Sequence, residues 1–406
     1  LLKPDTLALT VALAFLAAIG PVSTDIFLPS LPSMRAAFAT DTSSVQLTLS
    51  IFMAGFAFGQ IVFGPLSDRR GRRPVLIGTL ILYGLGALAC AFAPNIEVML
   101  LGRLLQAIGA SGPLVLTRSI VRDLYHGSRA AIELGRMGLI MGVVPSLAPL
   151  FGGFLEAAAG WRASFVAMVI YAALSLIVVV VLVQETVPKK LAEPFSPRAI
   201  LMDFGIVLKH KGYRIATAQM SLAFIGIFSF ISGSSFILQG AYGLNEIAYG
   251  IAFGCGAACL MAGNLFGQRM LARLGAPKLF RVATLIQATG GIGVLVGVLV
   301  VPLILGRHSA LEIILPYMLF TFGIGPQFAL TMMRALHPFP ERAGAASSLV
   351  GFIQQISAAT VGALVGVALG VFPNALPLAI VLALVSVAAL LLNGYDRRTH
   401  AHETSH

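Results

Sequence analysis

Charge is what this sequence has least of. Of its 406 residues only 11% are Asp, Glu, Lys or Arg, and 58% are hydrophobic, whereas ordinary soluble domains carry about a quarter charged residues. So little charge cannot clothe a water-facing surface over the whole chain, which excludes an ordinary soluble domain and requires lipid as solvent for most of it. Cysteine is nearly as scarce: Cys90, Cys255 and Cys259 all fall in apolar runs, and their odd number implies no disulfide framework. Cys255 and Cys259 share a helix face at i, i+4 but have no His or carboxylate beside them, so they read as small buried hydrophobes and not as metal ligands. A phosphate-cradling GxxxxGK loop followed by Ser or Thr is missing, and the length leaves no room for a nucleotide-binding domain. Energy for any work must then come from an ion gradient or from downhill flow, with no cofactor. The loose Gly84, Gly86, Ala89 echo of a dinucleotide fingerprint lies inside an apolar span without a strand before it and carries no weight. No nucleophile with its base, acid–base pair or metal cluster stands out, so no enzyme is expected.

What is present is one apolar run after another. A run of about 18 to 25 residues crosses a hydrocarbon layer of roughly 30 Å as a helix. Twelve such runs are read at 7–31, 45–66, 74–93, 96–117, 137–155, 163–183, 215–239, 247–271, 280–305, 311–333, 344–371 and 374–394. Stretches such as 176–183 are apolar on every side, which excludes the alternating strands of a transmembrane barrel. The first run is too long and too weakly flanked for a cleaved signal peptide. Glycines recur at a spacing of four, as Gly55 and Gly59, Gly138 and Gly142, and Gly362, Gly366 and Gly370, a pattern that lets helices approach closely in lipid.

The one break in composition is 184–214, where Lys, Arg and Glu accompany Pro188, Pro194 and Pro197. It reads as a linker between two blocks. The expected organisation is a six-helix bundle over 1–184, a cytoplasmic linker over 185–214, a second six-helix bundle over 215–395 and a cytoplasmic tail over 396–406. Two equal blocks of parallel topology match the internal repeats of transporters, whose substrate lies near the midplane between the halves. Net charge is +11, from 27 Lys plus Arg against 16 Asp plus Glu, a sign that in a soluble protein suggests nucleic acid. Its cause here is topological. With the N-terminus inside, Lys3 and the basic stretches 69–73, 118–136, 189–214, 269–281, 334–342 and 397–398 fall on one side, while Arg35, Arg162 and Arg307 fall on the other. That is the positive-inside pattern, with both termini cytoplasmic and no nucleic-acid partner.

Four stretches carry more than hydrophobicity. After the second span stands Gly64-Pro65-Leu66-Ser67-Asp68-Arg69-Arg70-Gly71-Arg72-Arg73-Pro74, physically a glycine-permitted turn with Asp68 placed to pair with an Arg or cap the third helix. The fourth span carries Arg103-Leu104-Leu105-Gln106-Ala107-Ile108-Gly109-Ala110, and a charge that deep is rare and functional where it occurs. The fifth carries Pro145 and then Ala148-Pro149-Leu150-Phe151-Gly152-Gly153, the makings of a proline kink with close glycine packing. The first carries Ser23-Thr24-Asp25-Ile26-Phe27-Leu28-Pro29-Ser30-Leu31-Pro32, and Val121-Arg122-Asp123-Leu124-Tyr125 follows the fourth.

The loop at 64–74 resembles the signature loop of the major facilitator superfamily. Residues 103–110 resemble that family's RxxQGxGA stretch with Ala107 for a glycine, and 148–153 its GPxxGG antiporter motif with Ala148 for a glycine. The stretches at 23–32 and 121–125 are similar to the bicyclomycin and chloramphenicol resistance (Bcr/CflA) group of drug:proton antiporters. The resemblance covers the N-terminal half; the C-terminal half adds matching topology and an Arg273-Leu274-Gly275 echo of the signature loop. It implies an all-α membrane protein of the major facilitator fold, in a bacterial inner membrane, exporting drugs such as phenicols or bicyclomycin-like molecules against protons. It further implies a gating role, without substrate contact, for Gly64, Asp68, Arg69, Gly71 and Arg72, and an antiporter role for Pro145, Pro149, Gly152 and Gly153.

Asp25 lies six residues before the outer end of the first span and Arg103 seven residues after the outer end of the fourth. At about 1.5 Å per residue, both sit roughly 10 Å deep. They are expected to form the proton-coupling pair and to touch substrate. An opposite charge within about 4 to 6 Å favours an ionised carboxyl, whereas burial disfavours it, so a carrier that changes their separation alternately binds and releases a proton. A static ion pair is the alternative. No histidine is expected mid-membrane. In the C-terminal half, Gln219, Ser235, Gln239, Gln327 and Gln354 are the expected substrate contacts, with Ser234, Asn264 and Gln355 as further polar groups. Simple hydrogen bonds between helices are the competing reading. The 26 phenylalanines suit a pocket for an amphiphilic drug-like molecule. The expected partners are that molecule, protons and the lipid bilayer, with the chain working as a monomer. An uptake symporter for a nutrient, or a receptor that transports nothing, would share the composition.

Overall fold

The computed structural model describes residues 6–125, 127–187, 197–339 and 342–403, among which the chain is helical and has no strand. It forms two units, Leu1–Ser196 with Glu246–Ile251, and Pro197–Asn245 with Ala252–His406.

The first unit contains α1 (Leu7–Ala17), α2 (Ile19–Asp25), α3 (Leu31–Ala37), α4 (Thr42–Arg70), α5 (Arg72–Ala91), α6 (Ile96–Leu124), α7 (Gly127–Ala159) and α8 (Arg162–Leu182). The first apolar run is therefore not one rod, and its two parts bend by 41°. Prolines cause this, because each lacks the N–H that the carbonyl four residues earlier needs and crowds that carbonyl. Pro21 breaks the ladder at Ala17, and Pro29 breaks it at Asp25, after which a 3-10 turn, Leu28–Ser30, takes over. Asp25 is thus the last residue of a helix at a discontinuity, the kind of place where transporter helices expose polar groups. Elsewhere the helices start as their sequences dictate: the Thr6, Asp41 and Asn95 side chains accept from the backbone N–H groups of Leu9, Ser44 and Val98, satisfying donors that no helical carbonyl reaches. The Ser44 backbone N–H, with further bonds from Ser44 and Ser43, holds the Asp41 carboxyl below the usual carboxylate range.

Helices α4, α5 and α6 are pressed together through glycine. A Cβ on Gly86 would meet the backbone of Gln106, one on Gly109 the backbone of Tyr83, and one on Gly59 the Ser111 hydroxyl. The packing reading of the Gly55–Gly59 pair holds, with Gly55 against Leu104 and Ala107. Gly138 faces open space instead.

The second unit contains α9 (Pro197–Lys209), α10 (Lys211–Ser235), α11 (Glu246–Leu305, of which the first six residues belong to the first unit), α12 (Leu311–Leu336), α13 (Ala343–Val371) and α14 (Leu376–Glu403). A π-helical turn, Phe236–Ala241, extends α10. Within the expected linker the structure adds a helix, α9, whose Phe204 and Val207 are buried while Leu201, Met202, Ile206 and Leu208 are exposed. Asp203 anchors it to Arg342 at 3.0 Å. The charges and prolines around 200–208 disguised a helical apolar period there. Pro188 and Pro194 lie outside the described residues.

Ten described helices are long and apolar enough to cross a membrane, and the bent pair at the N-terminus brings an eleventh. One of the ten runs from Glu246 to Ile304 over 59 residues, which at 1.5 Å per residue is about 90 Å, three times the hydrocarbon layer. It holds two of the expected runs end to end. Gly275, at φ 70°, leaves helical geometry inside it, a left-handed conformation that glycine adopts without a Cβ penalty.

Candidate functional site

Arg103 is fully buried. Its guanidinium donates through Nη1 to the Ser23 carbonyl at 3.1 Å and to Gln106 Oε1 at 2.6 Å, and through Nε to the Thr48 carbonyl at 3.3 Å. The Phe27 and Phe52 rings each lie 4.3 Å from it, where a desolvated cation gains about 2 kcal/mol per face. Arg103 therefore ties α6 to α4 and to the segment that carries Asp25. Ser23 is fixed in turn, its hydroxyl bonded to the Ile19 carbonyl at 2.6 Å and to the Tyr83 hydroxyl at 2.8 Å.

Asp25 and Arg103 do not form the expected ion pair. Both are buried, yet Asp25 Oδ1 and Arg103 Nη2 are each without a hydrogen-bond partner. The guanidinium donors go instead to the Ser23 and Thr48 carbonyls and to Gln106 Oε1. Beside Asp25, Val22 and Ile26 line an apolar cavity of about 520 Å³ with Ile140, Val144, Leu147 and Phe151 of α7. This places one buried carboxyl next to a space the size of a drug-like ligand site.

The residues of 148–153 build the same wall. Helix α7 runs unbroken through Pro145 and Pro149, so the proline kink expected there interrupts no helix. A Cβ on Gly152 would collide with the Ile26 carbonyl, just past the α2 break, and one on Gly153 would press on the Glu246 backbone within the same unit. Here glycine is required by close approach.

At the other end of the first unit, the signature loop makes its glycine-permitted turn at the second of its two glycines. Gly64 lies inside α4, which continues to Arg70, and the turn falls at Gly71, with φ 101°. Asp68 pairs with Arg72. Arg72 also donates through Nε to Asp123 Oδ2 at 2.9 Å and through Nη1 to the Ser67 hydroxyl at 2.7 Å. The cap on the third span comes from Glu185, not Asp68: its carboxylate accepts from the Arg72 N–H at 2.8 Å and the Arg73 N–H at 3.2 Å. A carboxylate at a helix N-terminus also favours the helix dipole. Arg69 has a contact of its own. We expect Asp68→Asn to slow transport at least about tenfold while substrate affinity stays within a fewfold, since Asp68 lies ~20 Å from the depth of Asp25 by helix rise. Wild-type turnover in reconstituted vesicles would count against gating.

In the second unit, Gln327 donates to Gln287 Oε1 at 2.8 Å, a bond between helices, and to the Gly323 carbonyl of its own helix at 2.9 Å. Gln239 donates to the Ser235 hydroxyl at 2.7 Å along one helix. Gln219 is different: it is buried and neither side-chain atom has a partner. Gln354 is buried too. Of these five, Ser235 and Gln239 are joined directly to each other. Sequence reasoning missed Glu185, which looks like linker charge, and the buried Glu133, which accepts from the Thr10 hydroxyl at 2.7 Å. It also missed Phe27 and Phe52 as the walls of Arg103; their spacing from a deep arginine was the available signal.

A family model for the Major Facilitator Superfamily matches residues 13–363. An uncharacterized MFS-type transporter, YdgK, of Bacillus subtilis (strain 168) is 30% identical over 362 residues, 89% of each chain. A bicyclomycin resistance protein homolog of Haemophilus influenzae is 26% identical over 372 residues, again 89% of each. Among solved structures, a bacterial homolog to the human lysosomal transporter Spinster, inward-facing and occupied, superimposes with a TM-score of 0.76 at 17% identity, covering 98% of both chains; at that identity the likeness shows the fold alone. The chain is a multi-pass membrane transporter, not an enzyme, and it belongs to the major facilitator superfamily.

Proposed function

We propose that this transporter exports amphiphilic drug-like molecules, phenicols and bicyclomycin-like compounds among them, in exchange for protons by alternating access. The observation that carries the reading is Asp25, a buried carboxyl with an unpartnered oxygen at a helix break, beside an apolar cavity of about 520 Å³. A carboxyl in that position is costly to keep ionised unless a ligand or proton answers it. The cavity offers apolar walls to the bulk of a substrate, and Asp25 stands between the wall residues Val22 and Ile26 in sequence. Arg103 positions Asp25 by holding the Ser23 carbonyl. The name of the Haemophilus relative supports the drug class.

The chain acts as a monomer in the bacterial inner membrane, with twelve crossings and both termini in the cytoplasm. Dividing α11 at Gly275 supports the count, and the one-sided basic loops support the orientation. A phosphatase reporter fused at the C-terminus is expected to stay inactive, and periplasmic activity there would overturn the orientation. The function is tested in proteoliposomes under an imposed proton gradient with chloramphenicol and bicyclomycin. Uphill drug movement opposite to the protons is expected. Movement in the same direction would make the chain a symporter, and absence of any gradient-driven flux across a drug panel would favour a receptor.

A further inference from the structure

Another buried carboxylate stands far along the sequence from Asp25, at one end of the second unit. Glu312, the second residue of α12, has a side chain with 0% exposure, while its neighbour His308 is 55% exposed. His308 Nδ1 lies 2.8 Å from Glu312 Oε1, the Tyr242 hydroxyl donates to the same oxygen, and the Ser309 N–H donates to Oε2 at 3.2 Å. The Tyr242 and His308 rings meet edge to face at 5.7 Å. A cavity of about 210 Å³, lined by Tyr242, Val298, His308 and Asn374 among others, opens beside them.

A glutamate in the first helical turn often does no more than satisfy backbone N–H groups. That role explains the Ser309 contact but needs neither an imidazole nor a phenol. Tyr242 directly follows the π-helical turn that ends α10, and such turns are frequent at functional sites. Burial and the adjacent Glu312 carboxylate hold the Tyr242 phenol well above its usual range, so it is a constant donor. The variable member is the histidine, because an imidazole changes charge between about pH 5 and 8. Protonated, it gives the sealed carboxylate a counter-ion; neutral, it leaves that charge with uncharged donors alone, which burial penalises. The charged groups nearby are few: Arg307 in the same loop is exposed, while Val298 and Leu299 of α11 and Asn374, Ala375 and Leu376 before and within α14 bring no charge.

We propose that His308, Glu312 and Tyr242 form a second proton-binding site, on the extracytoplasmic end of the second unit, whose protonation clasps the end of α10 to the start of α12. The placement outside rests on the orientation given under Proposed function. In that orientation the site meets the acidic side of the gradient, and the end of α10 is held while external protons are abundant.

The test uses the full chain in nanodiscs with Cys90, Cys255 and Cys259 replaced and spin labels on cysteines at Ala241 and Leu311, which lie on the two clasped ends and are exposed. The distance distribution between them is measured at about pH 5 and about pH 8, the limits of imidazole titration. A narrow distribution at the acid end that broadens at the alkaline end is expected for the native site. His308→Gln, a change at a half-exposed side chain that leaves the core intact, should stay broad at both, and Glu312→Gln should do the same. A distribution independent of pH in the native site, or narrowing that persists in His308→Gln, overturns the proposal. No drug or gradient enters the measurement, so its failure is separate from failure of the export reading.

Discussion

Asp25→Asn should abolish uphill export and substrate-induced proton release while leaving the fold intact. Asparagine keeps the volume and hydrogen bonding of the side chain but cannot titrate. Because Arg103 is held by the Ser23 and Thr48 carbonyls and by Gln106, the substitution strands no guanidinium. Removing a buried carboxyl with an unpartnered oxygen should leave thermal stability unchanged or higher. The measurement is proton release from detergent-solubilised protein near neutral pH on adding substrate, alongside the melting temperature. A stable variant that still releases protons and pumps drug uphill would make Asp25 structural.

Arg103→Met should be as damaging to transport by a different route. Methionine fills much of the same volume among Phe27, Phe52 and Phe165, and replacing a buried charge by a well-packed apolar group is often neutral for stability. The melting temperature should therefore move by only a few degrees. What the variant loses is the rigid tie from α6 to the Ser23 carbonyl, two residues from Asp25, so uphill transport should fall more than about tenfold. Arg103→Lys keeps the charge but has one ammonium for acceptors on α2, α4 and α6, and should recover only part of the rate. Full activity of Arg103→Met in the same vesicles would show that this tie is dispensable.

Much of this was legible in the sequence because lipid imposes length. Runs of apolar residues and the depth of Asp25 and Arg103 follow from helix rise alone. Rotation about the helix axis does not: equal depth suggests a pair, but the Arg103 donors go to the Ser23 and Thr48 carbonyls and to Gln106. The glycine-permitted turn of the signature loop and the pairing of Asp68 with an arginine follow from residue type, but which glycine turns does not: glycine and proline can remain helical, as at Gly64 and Pro65, and of the two glycines in the loop only Gly71 has the positive φ that demands one. Glu185 was invisible because its partner, the N-terminus of α5, lies 113 residues away in sequence, and no local pattern announces such a contact. The motif at 148–153 showed where packing is tight without showing that the tightness is against the carbonyl of Ile26.

That contact divides the cavity wall into a fixed side and a mutable side. Gly152 cannot change without pushing into Ile26, whereas Val143, Leu147 and Phe151, one stripe along α7, are 39%, 50% and 64% exposed. Substitution at these three alters the shape offered to a ligand at little cost to folding, since large destabilisation comes from buried sites. On the proposed export of drug-like molecules, selection by a new compound is expected to diversify that stripe first, while the helix break beside it stays constant.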